Sequence, residues 1–445
     1  MSFFQFFLDL FVEKDVRFFN NGKKFMEKGD YLKATYEFKE ALNIKPTEEK
    51  YHDAFGQSMY KRGMIPEADL AFAIADDLKQ AATDPRDVKV LCRLARSFQD
   101  KRMFTVSQGY IQRTLALDPN NDQAHCLLGR ANFLGNKVNE AIMEYEKAIE
   151  LNAYCIEAYK GLEDIFRAQK KKAKEKEYGE LAKHIAKTSK SSKDPVAHAE
   201  LGDAFRKYKR LAEAEVEYKE AFKLDSQCPG ALVGMGILSY EAGKMPDAKE
   251  KFTAAIKINK YNSMAHSYLG LIYQSDPKTK KNAEWELELA KQLSAVEKAT
   301  DPVKMYQAYI NLGDFLNSHN RTEDAEEAYL RGIRANANVP EAYVKIALLY
   351  AKTNKSQQAL DYCDHAIKLA PKQEIGFIGK GQVLMAANDF EKAISHFQEA
   401  LKFSPNNADI HDHLANAYEK KGMTKLAEKE RKIVDSIKST QEGRI

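Results

Sequence analysis

No two cysteines stand in a CxxC arrangement: the five, Cys92, Cys126, Cys155, Cys228 and Cys363, are scattered along 445 residues. That spacing suggests neither a structural zinc site nor a disulfide framework, and it fits a reducing, cytoplasmic setting. No run approaches the ~18 apolar residues of a membrane-spanning helix. The opening stretch MSFFQFFLDLF lacks a basic n-region and a small-residue cleavage site and is interrupted by Gln5 and Asp9, so it does not read as a secretory signal. With 22 glycines and 12 prolines, the chain is neither collagen-like nor dominated by linkers. An excess of one charge is also missing. The 69 Lys and Arg against 65 Asp and Glu leave a net of +4, no footprint for wrapping nucleic acid along its length. At 44% apolar and 30% charged, the composition is that of a globular chain able to bury a core.

What is present is a period. Phe18, Gly22, Phe25, Ala34, Phe38, Ala41 and Pro46 return one unit later as His52, Gly56, Met59, Ala68, Phe72 and Ala75. Units start at 15, 49, 88, 122, 156, 195, 229, 263, 306, 340, 374 and 408. Position 8 of the unit is glycine in Gly22, Gly56, Gly129, Gly202, Gly236, Gly270, Gly313 and Gly381. Position 20 is alanine in most units, with a one-residue shift in the eighth. A glycine inside a helix costs roughly 1 kcal/mol relative to alanine, so a glycine held at one phase needs an offsetting gain, most simply a helix packed on the bare backbone. Gly29, Gly63, Gly243 and Gly422 fall at position 15, where a helix must stop and a left-handed residue suits glycine. Pro46, Pro119, Pro371 and Pro405 close the second helix. Each unit is thus a helical hairpin that must stack on its neighbours to bury its apolar face.

This pattern, a large residue at 4, glycine at 8, alanine at 20 and 27, an aromatic at 24 and proline at 32, resembles the tetratricopeptide repeat (TPR) over nearly the whole chain. The resemblance implies an all-α fold, an α-solenoid or right-handed TPR superhelix of stacked helix-turn-helix hairpins. Insertions at 83–87, 190–194 and 297–305, each with or beside an Asp-Pro, group the units. Residues 1–14 read as an N-terminal amphipathic helix, 15–82 as units 1–2, 88–189 as units 3–5, 195–296 as units 6–8, and 306–441 as units 9–12 with a C-terminal capping helix. The N-terminal helix would cap the first unit, dock in the groove, dimerise or touch a membrane.

No catalytic constellation appears: the GALVGMG and GFIGKG runs lie inside first helices, where packing accounts for their glycines, and there is no GxSxG or kinase signature. The chain reads as a non-enzyme without cofactor or metal. His52, His125, His198, His266 and His411 all occupy position 4, a packing site, with no HExxH and no carboxylate at ligand spacing. Cys92 and Cys126, one unit apart, would sit in helix layers too far apart for a disulfide.

The resemblance places first helices on the inner, concave wall with positions 2, 5, 9 and 12 or 13 facing a groove. Units 3–6 then present Lys89, Arg93, Arg96, Arg130, Lys160, Arg167 and Arg206 among acidic residues. These would hold an acidic peptide or chain terminus, or be neutralised within the wall. Units 7–8 offer Val233, Ile237, Tyr240, Met264, Tyr268 and Leu271, and units 10–11 offer Val344, Leu348, Ile375, Ile378 and Met385. These would hold an amphipathic partner helix or pack on other units. TPR co-chaperones hold a C-terminal carboxylate with Lys, Asn and Arg on three units. Lys89 and Arg93 resemble the third unit's pair, but Phe19, Lys23 and Ala54 depart from the rest. The expected function is a protein-interaction scaffold or adaptor. Alternatives are a chaperone-type holder of a client helix, or a nucleic-acid-associated factor using the nine lysines of 170–193.

Overall fold

A computed structural model describes residues 13–442, so the helix expected over 1–14 lies almost wholly outside the described residues. Twenty-four α-helices follow in series, with no strand among the described residues. First helices of successive units begin at Lys14, Glu49, Val88, Asp122, Ile156, Pro195, Pro229, Ser263, Pro302, Pro340, Ile375 and Ala408, and each packs on the second helix that follows it. The array divides into two compact units, one ending at Ser226 and the other beginning at Gln227.

The glycine at position 8 meets a ring of its own hairpin. A Cβ added at Gly22, Gly56, Gly129, Gly202, Gly236, Gly313 or Gly381 would stand only 2.4–2.9 Å from Phe38, Phe72, Tyr145, Tyr218, Phe252, Tyr329 or Phe397 respectively. The bare backbone is the floor on which the second helix lays its aromatic, which supplies the gain that the lost propensity demands. Position 20 alanines such as Ala34, Ala141, Ala214, Ala325 and Ala393 are fully buried.

Between the two helices, position 15 adopts a left-handed backbone in eleven of twelve units. Gly29, Gly63, Gly243 and Gly422 do so, and Arg102, Asn136, Lys170, Lys209, Asn320, Asn354 and Asn388 take the same conformation without the freedom of glycine. The turn closes by a long-reach bond such as Asp30 N–H to Phe25 O (2.9 Å). In unit eight the position falls on Pro277, whose ring forbids positive φ. There a 3-10 turn, Pro277–Thr279, replaces it and adds one residue before the second helix. The floor of Gly270 is accordingly met by Leu287, 2.7 Å from an added Cβ, one residue later than the usual spacing.

The three insertions lengthen second helices. Ile65–Thr83, Lys172–Lys190 and Lys280–Lys298 each have 19 residues, where most others have 14, so each extends about 7 Å further. Each is followed by an aspartate that caps the next first helix: Asp87 accepts from Lys89 N–H (2.9 Å), Asp194 from Val196 N–H (2.9 Å) and Asp301 from Lys304 N–H (2.9 Å). Consecutive first helices also touch, as Val88–Asp100 does Asp122–Leu134 and Pro340–Lys352 does Ile375–Ala386, whereas consecutive second helices keep further apart. First helices therefore share a wall where they touch, in units one and two, three to five, seven and eight, and ten to twelve.

Candidate functional site

The basic wall lies in the first compact unit, and its arginines are already engaged. Arg93 grips the largely buried Asp77 through Nε (2.9 Å) and Nη2 (2.6 Å) and also reaches Gln80. Arg96 donates to Glu157 (3.1 Å) and Arg130 to Asp100 (2.7 Å). Arg167 pairs with Glu163, Asp164 and Glu175. Arg206 reaches the Tyr218 hydroxyl (3.2 Å) and Asp203 (3.3 Å). The hydrogen bonds that Arg93 donates to Asp77 raise its guanidinium above its ordinary value. Arg96 and Arg130, which would repel as a bare stack, are each paired with an acidic residue from another unit. Lys89 and Lys160 are exposed and make no ion pair among the described residues. With Arg93 committed to Asp77, the resemblance to a carboxylate-holding pair weakens further.

The apolar wall lies in the second compact unit, and three of its expected members are not on the surface. Val233 and Val344 are buried, and Ile237 is wholly so. Position 5 is where one first helix meets the next: an added Cβ at Gly379 would come within 2.6 Å of Val344. GFIGKG is thus a packing run that brings two first helices together. What remains accessible is Met264, 45% exposed, beside half-buried Tyr240, Tyr268 and Leu271. Tyr240 meets Tyr268 edge-on at 5.2 Å, and Tyr268 stacks on Phe252 at 5.3 Å. Leu348, Ile375, Ile378 and Met385 are half-buried, Leu348 and Ile375 packed around Val344 and Ile378 and Met385 around Leu384 and Phe397.

The position-4 histidines carry a geometry that the sequence left unread. Nε2 of His52, His125, His198, His266 and His411 faces the carbonyl oxygen six residues upstream, of Pro46, Pro119, Ser192, Lys260 and Pro405, at 2.7–3.1 Å. Tyr159 and Tyr343, at the same position, donate to Ala153 and Ala337 (3.0 Å each). In four of the five histidine units a carboxylate does stand opposite, contrary to expectation. Nδ1 lies 2.5–2.7 Å from Glu144, Glu217, Glu286 and Glu430. A carbonyl only accepts, so Nε2 carries a hydrogen, and the contact between Nδ1 and a carboxylate requires a proton between them. The pairs close each unit onto the preceding connection, which is a structural task. In unit two Ala71 occupies the glutamate's place, and Nδ1 of His52 is buried without a partner. Burial pushes the His52 imidazole down to about 4.

The lysines of 170–193 fall mainly on Lys172–Lys190, which buries Leu181, Ala182, Ile185 and Thr188 and leaves its lysines in solvent. Lys176 and Lys187 pair with Glu180 and Glu200. No helix among the described residues is long and apolar enough to cross a membrane.

A tetratricopeptide-repeat family model matches residues 92–154 and 310–374, and a TPR-repeat model matches 381–422. The chain is a tetratricopeptide-repeat protein. The TPR array is similar to the O-mannosyl-transferase TMTC3 of Homo sapiens, 22% identical over 348 residues, covering 75% of this chain and 37% of that protein. It is also similar to Hsp70-Hsp90 organizing protein 1 of Glycine max, 24% identical over 249 residues, covering 49% of this chain and 43% of that protein. The chain thus spans less than half the length of these curated relatives. Among solved structures, the APC/C Cut9-Hcn1 hetero-tetramer aligns with 97% of this chain and 95% of that chain, at 12% identity and a TM-score of 0.28.

Proposed function

We propose that this TPR array is a non-catalytic scaffold or adaptor in the cytoplasm, holding an amphipathic helix of a protein partner against the wall of first helices in units seven and eight. The observation that carries this reading is the cluster of Tyr240, Met264, Tyr268 and Leu271, accessible apolar and aromatic side chains on neighbouring first helices. Aromatic side chains and methionine are enriched where protein partners dock, and an amphipathic helix presents a matching stripe. A relative named for organizing Hsp70 and Hsp90 supports a partner-binding role. A chaperone-type holder would use the same wall and differ by releasing its client.

The test replaces Met264 and Leu271 together by Asp. Ile237, being buried, would unfold the hairpin and is unsuitable. A partner captured from the native cell by the unaltered chain should be lost from the double variant while its circular dichroism is unchanged. Retention of the same partner would remove the reading.

A second reading takes an acidic peptide at Lys89 and Lys160, the two basic-wall side chains without an ion pair among the described residues. Reversing both to Glu should weaken capture of a partner that the apolar variant still binds. The nucleic-acid alternative rests on the solvated lysines of Lys172–Lys190 alone and would show itself as steeply salt-dependent binding.

A further inference from the structure

A cavity of about 320 Å3 lies where units one, two and three meet. Leu42 comes to it from the second helix of unit one, Phe55 and Met59 from the first helix of unit two, Leu70 from the second helix of unit two, and Met103 from the turn of unit three. It opens to solvent, since Leu70 is 43% exposed and Phe55 and Met59 are half-buried. His52 lines its buried side, and the Nδ1 atom of that ring has no partner.

The other histidine units show what unit two lacks. In units four, six, eight and twelve Nδ1 meets a glutamate of the second helix, and in unit two Ala71 stands in that place. The corresponding cavity of unit eight is lined by both His266 and its Glu286 and measures about 180 Å3. Unit two keeps the histidine and the larger space without the acid.

A cation borders the same space. Lys101 is half-buried on the cavity wall, makes no ion pair among the described residues, and rests over the Phe55 ring at 5.9 Å. Burial lowers its ammonium below the ordinary value, and its charge helps to hold the His52 imidazole down. Lys39 and Glu67 stand exposed on the rim, and among the described residues Glu67 pairs with neither Lys101 nor His52. An ammonium and an imidazole nitrogen, each without an anion and set in an apolar shell, suit an amphiphilic anion.

We propose that this cavity binds a medium-chain monocarboxylate, a fatty-acid-like amphiphile whose head group takes the place of the missing glutamate between Lys101 and His52. Its chain lies on Leu42, Phe55, Met59, Leu70 and Met103. A cavity of this size is at the lower end of the range for small ligands, which selects a short chain over a long one. The carboxylate accepts from the Lys101 ammonium. Toward Nδ1 it needs a proton between them, as the glutamates of the other units do, so the anion binds together with a proton taken from solvent. The site uses none of the wall residues and is independent of what the wall binds.

The test titrates the folded full-length chain with octanoate by calorimetry, with octanol and acetate as partial probes. Octanoate should saturate a single site. Octanol, which has the chain without the charge, and acetate, which has the charge without the chain, should each bind about tenfold more weakly or less. Heats measured in phosphate and in Tris should differ, because the buffer supplies the proton. Lys101→Met, which keeps an apolar stem, should weaken octanoate about tenfold and leave octanol unchanged. Ala71→Glu, which installs the acid of the other units, should abolish octanoate binding. Ala71 is buried, so circular dichroism checks the fold of that variant, and Lys101→Met decides the matter if it does not fold. No saturable binding of octanoate, equal affinity for octanol, equal heats in the two buffers, or binding untouched by Lys101→Met would each overturn the proposal.

Discussion

The hydroxyl of Tyr154 donates to Glu217 at 2.6 Å, although 63 residues separate them. Tyr154 belongs to the connection after unit four and Glu217 to the second helix of unit six, so the bond passes over unit five. The other oxygen of Glu217 meets His198 Nδ1 at 2.7 Å. The second compact unit repeats the device: Tyr261, after unit seven, donates to Glu327 of unit nine at 2.6 Å, with Arg331 over its ring at 4.8 Å. In both places the unit passed over is one with a 19-residue second helix.

Tyr154→Phe should therefore cost about 1 kcal/mol, the net worth of one hydrogen bond. Glu217→Ala should cost more, about 1–3 kcal/mol, because the buried His198 Nδ1 and the Tyr154 hydroxyl both lose their acceptor. Urea denaturation of the two single variants and the double variant checks this. Additive losses would show that the two side chains are not coupled.

Two glycines of similar helical setting should respond in opposite senses to alanine. At Gly202 the new Cβ would stand 2.6 Å from the Tyr218 ring, and overpacking of this kind costs about 1–3 kcal/mol. At Gly109, inside Phe104–Leu117, a Cβ meets nothing within 4 Å, so Gly109→Ala should stabilise by about 0.5–1 kcal/mol. Thermal melts of the pair separate the packing role of position 8 from helix propensity.

His52 makes unit two acid-sensitive. Its folded value of about 4 lies below the ordinary 6.5, so the unfolded chain takes up a proton first as pH falls. Stability from this group is full above about 6.5 and is drained as pH falls toward 4, by a few kcal/mol at most on the order of 1.4 kcal/mol per pH unit. His52→Phe should flatten the stability profile across that window. An unchanged slope between pH 6.5 and 4 would assign the acid response to other groups.

The repeat was legible because its signals are steric and recur: Gly202 or Ala214 can be read by phase, since only a small residue fits there. The wall was less legible. Arg96 finds its acid 61 residues away and Arg130 finds its own 30 residues away, distances that no local pattern encodes. Val233 and Val344 share position 5 with Lys160, which is exposed, so position alone does not fix burial. The glutamates facing the histidines escaped notice because their place is taken by Ala71 in unit two and Tyr110 in unit three, and a glutamate on a second helix ordinarily reads as solvated.

Pro277 removes the left-handed joint of unit eight, and yet Leu287 and Glu286 arrive where Gly270 and His266 need them. The hairpin is held together by what its two faces must touch, with the elbow between them adjusting its length to suit. An extra residue in that elbow is absorbed before it can rotate the following helix, so these bends are the natural places to graft or lengthen sequence without disturbing the stack.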